Sequence, residues 1–129
     1  MKKILTLIFC LFAFSINAME KETTFKKELF DKAQADGKIV IVSSWIKYCS
    51  SCASQMKILN KAKKEGKLSD IEFTDIEYFA FDVTDKEIAN LFNIQYQTSL
   101  LIFNGSKEVY RSIGETTEDL IYEAIKASI

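Results

Sequence analysis

The chain has 129 residues, with 17 Lys plus Arg against 18 Asp plus Glu, no His and no Pro; at ~100–150 residues per domain this is one small domain. With 48% apolar and 27% charged residues its composition is globular rather than disordered. Without His, the chain alone can build no Ser–His–Asp or Cys–His catalytic group and no His-ligated metal site, and a formal net charge of −1 gives no electrostatic reason to expect nucleic acid.

Met1-Lys2-Lys3 is a basic start, Ile4 to Ile16 is mostly apolar, and charge begins at Glu20. This is the layout of a secretory leader. The run is shorter than the ~20 apolar residues that span a bilayer. Residues 1–18 are therefore expected to be a signal peptide and residues 19–129 the domain. Cleavage is expected after Ala18, with Ala13-Phe14-Ser15 a second candidate site. Cys10 lies in mid-run with Leu11 after it, which does not suit a lipoprotein. Removing residues 1–18 leaves 15 basic and 18 acidic residues, a net −3, and two cysteines, Cys49 and Cys52. An even pair in an exported protein reads as a disulfide.

In chain order, Thr24 is expected to cap a helix with Phe25, Leu29, Phe30 and Ala33 on its apolar face, ended by Gly37. Ile39 to Ser44 reads as a strand buried on both faces, since Ile39-Val40-Ile41-Val42 is continuously apolar and β-branched. Ser50 to Glu65 reads as a second helix, with Ala53, Met56, Leu59 (or Ile58) and Ala62 inward and Lys57, Lys61, Lys63 and Lys64 outward. Leu68 to Ile76 is ambiguous and is expected to hold a short extra turn. Tyr78 to Val83 is a strand, and Asp85 caps a short helix through Leu91 and Phe92. Ser99 to Phe103 is a strand, Asn104-Gly105 signals a hairpin, and Lys107 to Ile113 returns antiparallel. Thr116 with Asp119 reads as a capping pair for a last helix with Leu120, Ile121, Ala124 and Ile125 inward. Strands separated by helices imply parallel crossovers, and the hairpin adds an antiparallel edge. The expected fold is an α/β/α sandwich with a mixed sheet of about four strands and helices on both faces.

The chemistry concentrates in Cys49-Ser50-Ser51-Cys52, where a strand ends and a helix begins. Free N–H groups and the dipole at a helix N-terminus stabilise an anion, so a thiolate at Cys49 is expected to form at lower pH than a free thiol. Lys47 adds a positive charge two residues away in sequence. Cys52, one turn into the helix, is expected to lie behind Cys49. Cys49 would then attack a disulfide and Cys52 would resolve the mixed disulfide. A purely structural clip would close so small a ring that little chain entropy is removed. The competing class is a binding module that holds Cu(I), another metal or a cluster through both sulfurs, with Met56 as a further soft donor.

These residues resemble the thioredoxin superfamily. Trp45-Ile46-Lys47-Tyr48-Cys49-Ser50-Ser51-Cys52 is similar to its W-x-x-W-C-x-x-C segment, with Tyr48 for the second Trp. Leu100 to Gly105, followed by Gly114, is similar to its closing hairpin. The resemblance covers nearly all of residues 25–127, less the family's first strand. It is similar in pattern to exported domains such as the periplasmic C-terminal domain of the transmembrane thiol:disulfide interchange reductase. It implies a thioredoxin-like fold and dithiol–disulfide exchange with protein thiols and disulfides.

The sequence departs from that pattern at three places. Thr98 stands where most members have a cis-proline. Because a cis peptide before a non-proline residue costs about 3–4 kcal/mol, the Gln97-Thr98 peptide is expected to be trans, or strained. Ser43 and Ala80 stand where many members have a buried proton-relaying acid and its lysine, which leaves Asp82 as the candidate relay. The dipeptide between the cysteines is Ser50-Ser51, without proline. The expected site is therefore Cys49 and Cys52 as catalytic disulfide, Trp45, Tyr48, Gln97 and Thr98 as substrate groove, and Asp82 as relay, with no resident cofactor or metal. A monomer in the periplasm or secreted medium is expected, without membrane insertion once the leader is gone, and with a membrane-bound reductase or oxidase as a possible partner.

Overall fold

The computed structural model describes residues 23–65, 67–68, 71–72 and 76–129. The expected leader and its cleavage site lie outside them. The elements are α1 (Lys27–Ala35), β1 (Ile39–Trp45), α2 (Ser50–Glu65), β2 (Lys67–Leu68), β3 (Ile71–Glu72), β4 (Ile76–Asp82), α3 (Lys86–Leu91), β5 (Ser99–Asn104), β6 (Lys107–Ile113) and α4 (Glu118–Ala127). Where an extra turn was expected after α2, β2 and β3 form a small antiparallel ribbon.

The main sheet has the order β4-β1-β5-β6. β1, with its β-branched run, pairs parallel with β4 and antiparallel with β5, and β5 pairs antiparallel with β6. The crossover through α3 therefore returns a strand antiparallel to β1, not the parallel one expected. A helix between two strands does not by itself fix their relative direction.

Each face of the sheet carries its own core, because successive residues of a strand point to opposite sides. On one face Ile41, Tyr78, Ala80, Leu100 and Ile102 meet Met56, Leu59 and Ala62 of α2 and Ile121, Ala124 and Ile125 of α4. On the other, Val40, Val42, Phe79, Phe81, Leu101 and Phe103 meet Phe30 and Ala33 of α1, Ala89 of α3, and Phe25 and Phe92. Six phenylalanines cluster there; Phe92 lies edge-on to both Phe25 and Phe30, with centroids 5.2 Å away in each case. Such pairs add about 0.5–1.5 kcal/mol beyond their area burial.

Three local expectations are corrected. Helix α1 starts after Lys26, not Thr24, and Lys26 provides no side-chain cap. Thr24 instead bridges to the outer edge of β4: its N–H donates to the Ala80 carbonyl (2.8 Å) and its hydroxyl accepts from the Ala80 N–H (2.9 Å). Edge groups of β4 that would otherwise lack a strand partner are thereby satisfied, and among the described residues no strand precedes α1. Leu29 and Leu120 were expected inward and are exposed. Helix α4 begins after Thr117, whose side chain makes no capping bond; the Glu115 carboxylate accepts the Thr117 N–H at 2.7 Å in place of the Thr116/Asp119 pair. Asp85 caps α3 as expected, its carboxylate accepting from the Ile88 N–H.

Candidate active site at the β1–α2 junction

β1 delivers the chain to the end of the sheet at Trp45, and a tight turn returns it into α2. The turn closes with the Cys49 N–H on the Ile46 carbonyl (3.3 Å), and the Cys49 carbonyl accepts the Ala53 N–H (3.2 Å). Cys49 thus stands immediately before the first residue of α2. It forms a disulfide with Cys52, Cα to Cα 5.3 Å. The Cys52 N–H donates to the Cys49 sulfur at 3.2 Å, as a side-chain oxygen would at a helix N-cap. Cys49 is half-buried and Cys52 fully buried, so a partner reaches the first sulfur before the second.

Tyr48 adopts φ +65 and is 91% exposed. The left-handed region costs a non-glycine residue about 1–2 kcal/mol, and an exposed ring recovers nothing in the core. The Lys47 ammonium sits 5.1 Å above the Tyr48 ring, a cation–π contact that gives its charge a partner other than the cysteines. Trp45 is half-buried against the α2/α4 core, and its indole N–H is buried without a partner among the described residues. Met56, weighed as a soft donor, is packed in the same core.

Asp82, opposite Trp45 in the sheet register, uses its carboxylate to accept the N–H (2.9 Å) and hydroxyl (2.8 Å) of Thr84. That is a turn-closing arrangement, and no hydrogen bond joins Asp82 to either cysteine among the described residues. Ser43 and Ala80 are register partners. Ser43 bonds the Tyr78 hydroxyl at 2.6 Å, both groups buried. Burial pushes the Tyr78 phenol above its ordinary value, and the Ser43 hydrogen bond pulls the other way.

Gln97 is exposed, and Thr98, only 3% exposed, closes over the disulfide. The peptide is trans, as expected, and Thr98 is also strained, at φ +59. Such a conformation costs of order 1–3 kcal/mol and persists only where its surroundings enforce it. Its N–H donates to the Ser44 carbonyl (2.8 Å), and its carbonyl accepts the Gly114 N–H (2.9 Å) and the Gln55 amide (3.2 Å). The Thr98 hydroxyl lies 3.1 Å from the Cys52 sulfur and 3.6 Å from that of Cys49. Beside this loop opens a cleft of about 360 Å³ whose walls include Tyr96, Arg111 and Ile113; Tyr96 and Ile113 are exposed. The Arg111 guanidinium is already held by the Glu108 carboxylate and the Phe92 and Asn93 carbonyls.

The family model described as Thioredoxin matches residues 18–127. The chain belongs to the thioredoxin family. Among solved structures, it is similar in fold to Trxlp of Edwardsiella tarda, at 24% identity, TM-score 0.67, covering 78% of this chain and 94% of that one. It is also similar to a thioredoxin of Nicotiana alata, at 20% identity, TM-score 0.64, covering 78% of this chain and 82% of that one. A third is the thioredoxin of Fasciola hepatica, at 21% identity, TM-score 0.59, covering 79% of this chain and 89% of that one. No curated protein matches the chain in sequence. As a thioredoxin with a disulfide-forming Cys-x-x-Cys pair, it is a thiol:disulfide oxidoreductase.

This thioredoxin has one site residue that sequence reasoning missed. Gln55, fully buried on α2, donates from its amide nitrogen to both the Thr98 carbonyl (3.2 Å) and the Glu115 carbonyl (2.9 Å). Two carbonyl acceptors fix the amide's orientation, and among the described residues its own oxygen is buried without a partner. The available clue was a polar residue among Cys52, Met56, Leu59 and Ala62, all at core-facing helical positions.

Proposed function

We propose that the protein is an exported thiol:disulfide oxidoreductase in which Cys49 exchanges with disulfides of partner proteins and Cys52 resolves the mixed disulfide. The observation that carries this reading is the unequal exposure of two bonded sulfurs, with the outer one at a helix N-terminus and accepting the Cys52 N–H. In the reducing direction the Cys49 thiolate attacks a substrate sulfur, and the substrate's other sulfur leaves and takes up a proton. Cys52 then gives up its proton and attacks Cys49, releasing the second substrate thiol. The partner's disulfide gains two electrons and two protons, and the Cys49–Cys52 disulfide is restored. Run backwards, the same steps oxidise a dithiol, and the reduction potential sets the direction.

The substrate groove in this reading runs over Tyr48, Gln97 and Thr98, with Trp45 supporting it from below. Tyr48 supports it most: a large exposed ring kept at left-handed φ serves no folding purpose and suits contact with a partner. The basic and apolar start at residues 1–16 supports export, and among the described residues no helix is long and apolar enough to cross a membrane. A membrane-bound reductase or oxidase would reset the pair after each turnover.

A Cys52→Ser variant of the full chain tests the reading. It is expected to accumulate dithiothreitol-sensitive mixed disulfides through Cys49, and the Cys49→Ser/Cys52→Ser double variant none. Adducts absent from both variants contradict exchange at Cys49. For export, N-terminal sequencing of the protein recovered from fractionated cells is expected to begin at Met19 outside the cytoplasm; a full-length chain in the cytoplasm contradicts it.

A further inference from the structure

We propose that the Thr98 hydroxyl is a catalytic hydrogen-bond donor that stabilises the sulfur anion of the reduced pair, and that Gln55 is the positioning residue that holds it there. The proposal deepens the exchange reading above and rests on it.

The hydroxyl is buried, and the two sulfurs are its only hydrogen-bond partners among the described residues. Neither proline nor an aliphatic side chain offers a donor at this place. A disulfide sulfur is a weak acceptor and a thiolate a strong one, since hydrogen bonds to ionised groups are shorter and about twice as strong as neutral ones. The Thr98 bond therefore strengthens when the disulfide is reduced. At rest it serves the Cys49 thiolate together with the Cys52 N–H; when Cys52 attacks, the hydroxyl already lies 3.1 Å from the sulfur that must shed its proton. Preferential stabilisation of the reduced form lowers the pH at which the thiolate forms and makes the disulfide easier to reduce.

The backbone explains how the hydroxyl stays on target. A β-branched residue does not rest at φ +59 unaided, and here hydrogen bonds from three directions hold it. Ser44 on β1 takes the N–H, while Gly114 after β6 and Gln55 on α2 both donate to the carbonyl. Gln55 lies three residues after Cys52, one helical turn further along the same helix. Its second bond, to the Glu115 carbonyl, ties the Thr98 loop and the β6–α4 loop to the helix that carries the cysteines. Any shift of α2 thus carries the strap on Thr98 with it.

The test compares Thr98→Val, Thr98→Ser and Gln55→Met with the parent, each as the full chain. Two quantities are read: thiolate absorbance at 240 nm against pH after reduction by dithiothreitol, and redox equilibrium with glutathione. Thr98→Val is expected to raise the pH of thiolate formation by about one unit and to shift the equilibrium toward the disulfide about tenfold, a potential about 30 mV lower. Thr98→Ser is expected to restore both towards the parent. Gln55→Met is expected to move both in the direction of Thr98→Val, and to add less than its single effect when combined with it. Parent-like values for Thr98→Val, or equal values for Thr98→Ser and Thr98→Val, overturn the donor role. Full additivity of Gln55→Met with Thr98→Val overturns the positioning role. If Thr98→Val does not fold, Thr98→Ala against Thr98→Ser gives the same comparison. A parent that never exchanges with glutathione contradicts the exchange reading instead, and the thiolate titration of the reduced protein still decides the role of Thr98.

Discussion

Replacing Ser43 by Ala and Tyr78 by Phe, singly and together, is expected to give a strongly non-additive pattern of stability. The two hydroxyls lie 2.6 Å apart in the core, and among the described residues each is the other's only side-chain partner. Either single substitution leaves one buried hydroxyl without a partner, a penalty of about 1–3 kcal/mol. The double substitution removes both polar groups and leaves an apolar contact, so it is expected to cost less than the two singles summed, by at least about 1 kcal/mol. In a domain of this size each kcal/mol corresponds to about 3–5 °C in Tm, so thermal or denaturant unfolding of the oxidised protein resolves the cycle. Additive singles would refute the reasoning, because they would mean that each hydroxyl finds another partner when its mate is removed. The cycle also bears on proton transfer, since Ser43 occupies the position where the family resemblance leads one to expect a relaying acid. Both hydroxyls are neutral at neutral pH, and the double variant is expected to keep the parent's exchange rate within about threefold, the loss being below what one general acid–base group contributes.

Three further outcomes follow from named residues. Burial raises the Tyr78 phenol above its ordinary value, so the unfolded chain loses this proton first. Its stabilising contribution is complete below about pH 10 and declines above it by up to about 1.4 kcal/mol per pH unit; denaturation midpoints from pH 9 upward are expected to show a slope that Tyr78→Phe reduces. Phe92→Ala removes a ring packed edge-on against Phe25 and Phe30 and is expected to cost about 3–5 kcal/mol in denaturant unfolding. Tyr48→Gly relieves left-handed strain while gaining unfolded-state freedom. It is expected to change stability by less than about 1 kcal/mol but to slow reduction of a protein disulfide, and a stability loss of several kcal/mol with unchanged turnover would refute a partner-facing Tyr48.

What could be read from the sequence was what is encoded locally. Ile39 to Val42 declared a strand buried on both faces because β-branched residues ran without alternation, and β1 is an interior strand of the sheet, between β4 and β5. Asp85 and the hairpin glycine were legible because their roles depend on a few adjacent backbone groups. Leu29 and Leu120 were not, because periodicity cannot say which of two neighbouring apolar residues, Leu29 or Phe30, Leu120 or Ile121, turns inward once the sheet fixes the helix's rotation. Thr24 was a plausible cap, but the open edge of β4, fifty-six residues away in sequence, took its hydroxyl. The cysteine pair was legible from spacing and place. The contacts of the Thr98 hydroxyl with both sulfurs and the buried Gln55 were not, since they exist only when β1, α2 and the β6–α4 loop are brought together.

The most direct test of the central claim is the redox equilibrium of the purified protein in glutathione buffers and then dithiothreitol, quenched by alkylation and read by mass. A single two-electron step between a Cys49–Cys52 disulfide and two alkylated thiols, abolished by Cys49→Ser, is the predicted result. A midpoint near about −270 mV would mark a reductant and one near about −120 mV an oxidant. A disulfide that dithiothreitol does not open, or thiols that no oxidised glutathione closes, would contradict dithiol–disulfide exchange as the work of this site.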